Sequence, residues 1–287
     1  MVFICRSSPA DGSISCASCH RPEYAFAEPR AVARGAGGRT GRRNTPSLLN
    51  SAYLRSLFAD GRSGSLEEQA LEPILNHAEM GVADVSALVA RLEPAYGARA
   101  QAVFGRPLTQ ETLAMALAAF ERTLLSGDSD HDRYEHGELD ALDHQALLGR
   151  ALFFGRAGCG NCHVPPLFTD SRYHNLGVGW EARGPSDAGR FEVTGEPADR
   201  GAFRTPSLRD VSRTGPYMHD GSRGTLREVV EFYDGGCQAN EALSPLVQPL
   251  GLAEEEIDGL VAFLETLDGR SYEGAASSHA QPGGTRR

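Results

Sequence analysis

No apolar run in this chain approaches the ~20 residues that a membrane-spanning helix needs. Positive charge is in short supply: 28 Lys and Arg against 38 Asp and Glu leave a net charge of −10. That balance argues against nucleic acid and against an anionic membrane surface as partners. The opening residues, Met1-Val2-Phe3-Ile4-Cys5-Arg6, are too short and too charged to form a secretory signal. Tryptophan occurs once, as Trp180. What is present suits a water-soluble enzyme of 287 residues, which on a prior of about 150 residues per domain is two domains.

Four of the six cysteines fall in two copies of Cys-x-x-Cys-His: Cys16, Cys19, His20 and Cys159, Cys162, His163. This pentapeptide attaches c-type haem, the thiols bonding the porphyrin and the imidazole binding iron from one side. A structural zinc site would instead bring both cysteine pairs into one small module. Here the first pair closes at Cys19 and the second opens only at Cys159, each with its own histidine. The expectation is two covalently bound c-type haems. Such haem is attached outside the bacterial inner membrane, so the mature protein is expected in the periplasm and the reading frame to be truncated or mis-started.

The chain repeats itself. Thr45-Pro46-Ser47-Leu48 recurs as Thr205-Pro206-Ser207-Leu208, and Asp60-Gly61, Gly64, Leu66 and Glu68 recur in the same register as Asp220-Gly221, Gly224, Leu226 and Glu228. Residues 45–73 and 205–233 share nine identities in an ungapped alignment. A repeat of this kind predicts repeated structural units. Apolar positions at helical spacing predict helices over Leu108–Leu125, Leu142–Phe154 and Ile257–Leu267. Asp170–Gly201, rich in Gly, Asp, Arg and Pro, reads as a long loop over the second haem. The fold class is mainly α: two cytochrome-c-like haem domains related by duplication, residues 1–140 and 141–272, with a flexible tail over 273–287.

The repeat also separates the two haems. Thr225–Tyr233 reads as a helix with Tyr233 at its end, and the matching position in the first copy is Pro73. A tyrosine oxygen binds iron and a proline does not. A second haem closed by His163 and Tyr233, beside a first haem left open near Pro73, is the layout of an enzyme rather than an electron carrier. Glu79 follows shortly after Pro73, where a loop carboxylate reaches toward the open face. His77, one helical turn from Pro73, is its rival. Met218 is a second candidate ligand for the second haem, with packing the favoured role because its counterpart is Phe58. Cys5 and Cys237 are left as a possible pair or as free thiols. His219 and Asp220 read as turn residues held by hydrogen bonds.

Ala119-Phe120-Glu121-Arg122-Thr123-Leu124, Asp132-Arg133-Tyr134, Leu148–Phe154 and Pro216-Tyr217-Met218-His219-Asp220-Gly221 resemble the bacterial dihaem cytochrome c peroxidases, from about Asp11 to Gly269. The resemblance implies hydrogen peroxide as substrate, reduced at the N-terminal haem. Electrons would pass through the C-terminal haem from a small redox protein, a cytochrome c or a cupredoxin. It implies Gln69 and Glu79 as polar groups over the open haem, with Glu79 moving a proton between the peroxide oxygens. It also implies Ca²⁺ between the haems, held by Asn44, Thr214 and Pro216; oxygen ligands completed by water suit that ion. At the position of Tyr233 the peroxidases usually have methionine. Tyrosine is similar to the MauG-like branch, which uses peroxide to oxidise residues of a partner protein, and this is the alternative reading. Three departures stand out. Phe58-Ala59-Asp60-Gly61-Arg62 replaces a run in which the second residue is tryptophan. The helix expected before the first haem motif has no counterpart in Met1–Ser8. No histidine lies between His20 and Asn44, so the open site needs no reductive opening.

Overall fold

The computed structural model describes residues 14–270. It is mainly helical, and its helices fall into two halves, each carrying one Cys-x-x-Cys-His motif. Cys5, Met1–Ser8 and the tail over 273–287 lie outside the described residues. In the first half, a single turn α1 (Cys16–Cys19) carries the first motif, followed by α2 (Leu66–Leu75), α3 (Val85–Phe104) and α4 (Gln110–Glu121). After α5 (Asp130–Glu135), α6 (His144–Phe154) leads to the second motif, and α7 (Phe191–Thr194), α8 (Leu226–Asp234) and α9 (Glu254–Glu265) follow. Among the described residues no helix is long and apolar enough to cross a membrane.

The helix starts are written in the sequence as side-chain caps, each satisfying a backbone N–H that has no partner within its helix. Ser65, Asp84, Thr109, Ser129, Asp143 and Thr225 accept from an N–H of the first turn of α2, α3, α4, α5, α6 and α8. Each half then closes on its own apolar cluster. Ala70 and Ile74 of α2, Leu88 and Leu92 of α3, and Leu113 and Leu117 of α4 form the first, with Cys16 and Cys19 packed against it. Phe153 of α6, Val230 of α8, and Leu260 and Phe263 of α9 form the second, around Phe168 and against Cys159. Each large apolar side chain among these contributes about 1.5–3 kcal/mol on burial. Gly149 and Gly259 let α6 and α9 touch backbone to backbone: a Cβ on Gly149 would lie 1.8 Å from the Gly259 carbonyl oxygen.

Local geometry recurs in the register of the repeat. Asn50 and Asp210 both sit at φ 58° and open 3₁₀ turns, Ser51–Tyr53 and Val211–Arg213. Phe58 and Met218 share positive φ, as do Gly61 and Gly221. Leu57 bridges Ser63 as Tyr217 bridges Arg223. The cap of α2 (Gly64 N–H and Ser65 Oγ with Glu68) is matched at α8 by Gly224 and Thr225 with Glu228.

The segment read as a long loop carries short structure instead. β1 (Tyr173–Asn175) pairs antiparallel with β4 (Ala202–Arg204), and β2 (Trp180–Glu181) pairs with β3 (Gly184–Pro185). Strands this short show no periodicity, which is why composition alone points to a loop. The β1–β4 ladder docks on the first half at the turn containing Ala59. The Arg204 N–H donates to the Ala59 carbonyl at 2.8 Å, and Arg190 Nη1 donates to the carbonyls of Asp60 and Gly61. Tyr173 bonds Ser56 at 2.6 Å, its hydroxyl filling the space that a Cβ on Gly61 would need. Arg43 joins the two halves through Asp60 (2.5 Å) and a two-point bond to Asp187 (2.7 and 2.8 Å), all three largely buried. The α5 segment packs on the second cluster, with the His131 ring 5.4 Å from both Phe168 and Phe263 and Asp132 bonded twice to Arg209.

Candidate haem sites

Both motifs present their residues in the same way. His20 Nδ1 donates to the Phe26 carbonyl at 2.9 Å, and His163 Nδ1 donates to the Phe168 carbonyl at 2.9 Å. A bond at Nδ1 fixes the tautomer and leaves Nε2 as the free ligand atom, the usual arrangement for a metal-binding histidine. Burial lowers the pKa of both imidazoles, which favours the neutral form. The four cysteines of the motifs are unpaired and partly buried. Burial in apolar surroundings pushes Cys16 and Cys19 up to about 12 and Cys159 to about 11. Each pair packs on a different core, which removes the four-cysteine zinc reading.

Near the first motif, α2 places Gln69 and Pro73 one turn apart on one face. Beyond its end the chain folds back: the Met80 N–H donates to the Pro73 carbonyl, and the Val82 N–H donates to that of Ile74. That turn brings Glu79 back toward Pro73. Asn76 Nδ2 donates to Glu79 Oε1 at 2.7 Å. Burial raises the Glu79 carboxyl above the ordinary 4.5, Arg62 and Asn76 oppose it, and Glu79 in turn bears on the Cys19 thiol. Gln69 Oε1 is buried and has no hydrogen-bond partner among the described residues. His77 is exposed, its carbonyl taking a bond from Arg39 Nε. The structure therefore places Gln69 and Pro73 on one face of α2 with Glu79 in the turn that folds back behind it, and leaves His77 exposed.

At the second motif, Tyr233 lies near the end of α8, and both Cys159 and Cys162 bear on its phenol. Burial pushes that phenol well above its ordinary value, so only a strong neighbouring cation would ionise it. Met218 sits in the turn at positive φ. Cys237 caps α8, its N–H donating to the Phe232 carbonyl. His219 does not hold its turn through a side-chain hydrogen bond as expected; its ring stacks on Phe203 at 3.7 Å, while Asp220 Oδ1 does accept from the Ser222 N–H. Of the implied calcium residues, Asn44 is tied by its N–H to the His219 carbonyl and by Nδ2 to those of Arg30 and Ala31. Thr214 bonds the Val211 carbonyl, and Pro216 follows a cis bond after Gly215. An open cleft of about 590 Å³ separates Tyr24 and Pro29 from Gly215, Pro216 and Tyr217.

A family model described as di-haem cytochrome c peroxidase matches residues 2–140. The chain is 40% identical over 260 residues to the methylamine utilization protein MauG of Methylorubrum extorquens, covering 89% of this chain and 73% of that one. It belongs to the di-haem cytochrome c peroxidase and MauG family. It is therefore an oxidoreductase of a family that acts on peroxide, and the family implies two haems. Cytochrome-c peroxidase IdrP1 of a Pseudomonas species is 39% identical over 289 residues, covering 90% of this chain and 76% of that one. The crystal structure of a MauG-like protein associated with microbial copper homeostasis superposes with a TM-score of 0.85 at 33% identity, over 94% of this chain and 88% of that one.

Several groups beside the motifs escaped the reading of the sequence. Glu28, 1% exposed, accepts from Thr45 Oγ1 and bears on Cys19. At the second motif Cys162, Asp170 and His174 have their ligand atoms within 4.8 Å of one another. Glu121 is buried at the end of α4, and its charge bears on Cys16. Only Glu121 carried a usable signal: it falls on the apolar stripe Ala114, Leu117, Ala118 of α4, where a charge is out of place.

Proposed function

We propose that this protein is a c-type dihaem peroxidase that reduces hydrogen peroxide at the haem of Cys16, Cys19 and His20, with electrons passed through the haem of Cys159, Cys162 and His163. The observation that carries this is the asymmetry at matched positions: α2 and α8 begin with the same cap, and one presents Pro73 where the other presents Tyr233. The bound haems supply the two electrons that peroxide consumes, and every other task falls to side chains. His20 and His163 each offer Nε2, oriented by the carbonyl bond at Nδ1. Pro73 offers no donor atom and so leaves room for peroxide. Gln69 Oε1 accepts the peroxide hydroxyl. Glu79 would take a proton from one peroxide oxygen at its carboxylate and return it to the other, which leaves as water; the remaining oxygen becomes a second water with the two electrons and two protons from solvent. Its raised pKa suits both halves of that exchange. Tyr233 fills the opposite position at the second motif and excludes substrate there. Asn44, Thr214 and Pro216 would supply oxygen ligands to Ca²⁺ between the halves. Periplasmic placement follows from covalent haem attachment.

Tyr233 favours a second reading. A hard, anionic oxygen ligand stabilises the oxidised state and lowers the potential, whereas methionine raises it. Such a site accepts electrons poorly from a high-potential donor and holds an oxidising equivalent well, which suits oxidation of a partner protein. Steady-state assays with peroxide and a reduced cytochrome c or cupredoxin separate the two. Rapid turnover supports the peroxidase; slow turnover with a long-lived oxidised state supports the protein-oxidising enzyme.

A further inference from the structure

Glu121 ends α4 and is 5% exposed, and its Oε2 has no hydrogen-bond partner. An acid buried without a partner is costly, so its retention in an apolar stripe calls for a use. Its neighbours Phe120 and Leu124 pack in one apolar cluster with Cys16, the residue assigned above to the first haem, and its charge bears on that residue. α4 packs on α2, the helix that carries Gln69 and Pro73. Arg122, the next residue, commits its guanidinium to Glu67 of α2 at 2.7 and 2.9 Å. Cys16 of the first motif packs in that same cluster, and bonded to haem as a thioether it would carry no charge. Burial raises the Glu121 carboxyl to about 7, with Arg122 opposing and Glu67 adding to the rise.

We propose that Glu121 is a proton-linked residue of the first haem, holding a proton while that iron is ferrous and releasing it when the iron becomes ferric. The step balances: one electron passes to the peroxide-derived oxidant, one proton passes to solvent, and the new carboxylate offsets the charge gained by the iron inside a low-dielectric core. The proposal rests on haem attachment at Cys16 and Cys19. Haem retention after denaturation tests that attachment separately.

The test is a spectroelectrochemical titration of the first haem in the holoprotein, stepped across neutral pH, for wild type and Glu121→Gln. Between the two protonation midpoints, at fixed applied potential, the oxidised-to-reduced ratio should rise about tenfold per pH unit in wild type. In Glu121→Gln the slope should fall to the background that Glu28 and Glu79 set, and in Glu67→Gln the wild-type slope should persist. Glu28 and Glu79 bear on Cys19 and titrate alike in wild type and variant, so they cancel in the comparison. An infrared difference spectrum of the wild type should lose a protonated-carboxyl stretch on oxidation. Equal slopes in wild type and Glu121→Gln would overturn the proposal. If Glu121→Gln fails to assemble, Glu121→Asp should keep a displaced slope, and absence of the wild-type carboxyl band would by itself be fatal to the idea.

Discussion

Replacing Glu79 by Gln removes one function and leaves the surroundings in place. The new amide oxygen still accepts from Asn76 Nδ2, now 2.7 Å from Oε1, so the turn that folds back onto Pro73 is retained. Both haems should be present with unchanged resting spectra. What is lost is the proton transfer, ordinarily worth about 10²–10⁴-fold, or about 3–5.5 kcal/mol of barrier at about 1.36 kcal/mol per factor of ten. The assay is stopped-flow mixing with excess peroxide, following the haem absorbance. In wild type the rate should rise with pH as Glu79 ionises, and burial places that rise above the ordinary 4.5. In Glu79→Gln the rise should vanish. A loss under tenfold, or a larger loss in His77→Ala, would refute the assignment.

Two further predictions concern how the halves are held. Asp210 is fully buried, its Oδ1 accepting from the Gly269 N–H; burial raises its carboxyl from 3.8 to about 6. The folded state therefore binds the proton more tightly than the unfolded chain, and the resulting stability is present below 3.8 and lost as pH rises through 6. At neutral pH the penalty is about 3 kcal/mol at most. Asp210→Asn, which copies Asn50 at the matched turn, should stabilise the protein by about 1–3 kcal/mol at neutral pH and little in acid; a destabilised variant in denaturant unfolding contradicts this. Arg43→Ala strands Asp60 and Asp187, whose carboxyl Arg43 holds down to about 2 against the opposing effect of burial. It should cost about 3–5 kcal/mol, and it should abolish the acid-sensitive share of stability that the wild type loses as pH falls from 3.8 toward 2; an unchanged melting temperature would show that the network contributes nothing.

Local signals in the sequence reached a long way. The motifs, the apolar spacing of α4, α6 and α9, and the Thr225 start of α8 are all short-range patterns, and each appears where expected. α3 was missed although it is the longest helix described, because Pro94 and Gly97 interrupt its spacing. The pairing of β1 with β4 was invisible because one short strand ends at Asn175 and its partner begins only at Ala202, and neither has a periodicity to detect. Contacts such as Arg43 with Asp187, far apart in the chain, follow from how the halves dock, and no local pattern encodes that. Pro73 and Tyr233 could be matched by the register of the repeat, whereas the buried Glu28 emerged only once the chain was folded.

The central claim is one open and one closed iron, and low-temperature electron paramagnetic resonance of the resting ferric holoprotein tests it most directly. The asymmetry of Pro73 and Tyr233 predicts one high-spin and one low-spin signal of equal weight, with Tyr233→Met keeping that pattern while raising the potential of the low-spin haem. Two low-spin signals at rest would remove the open site and with it the peroxidase assignment.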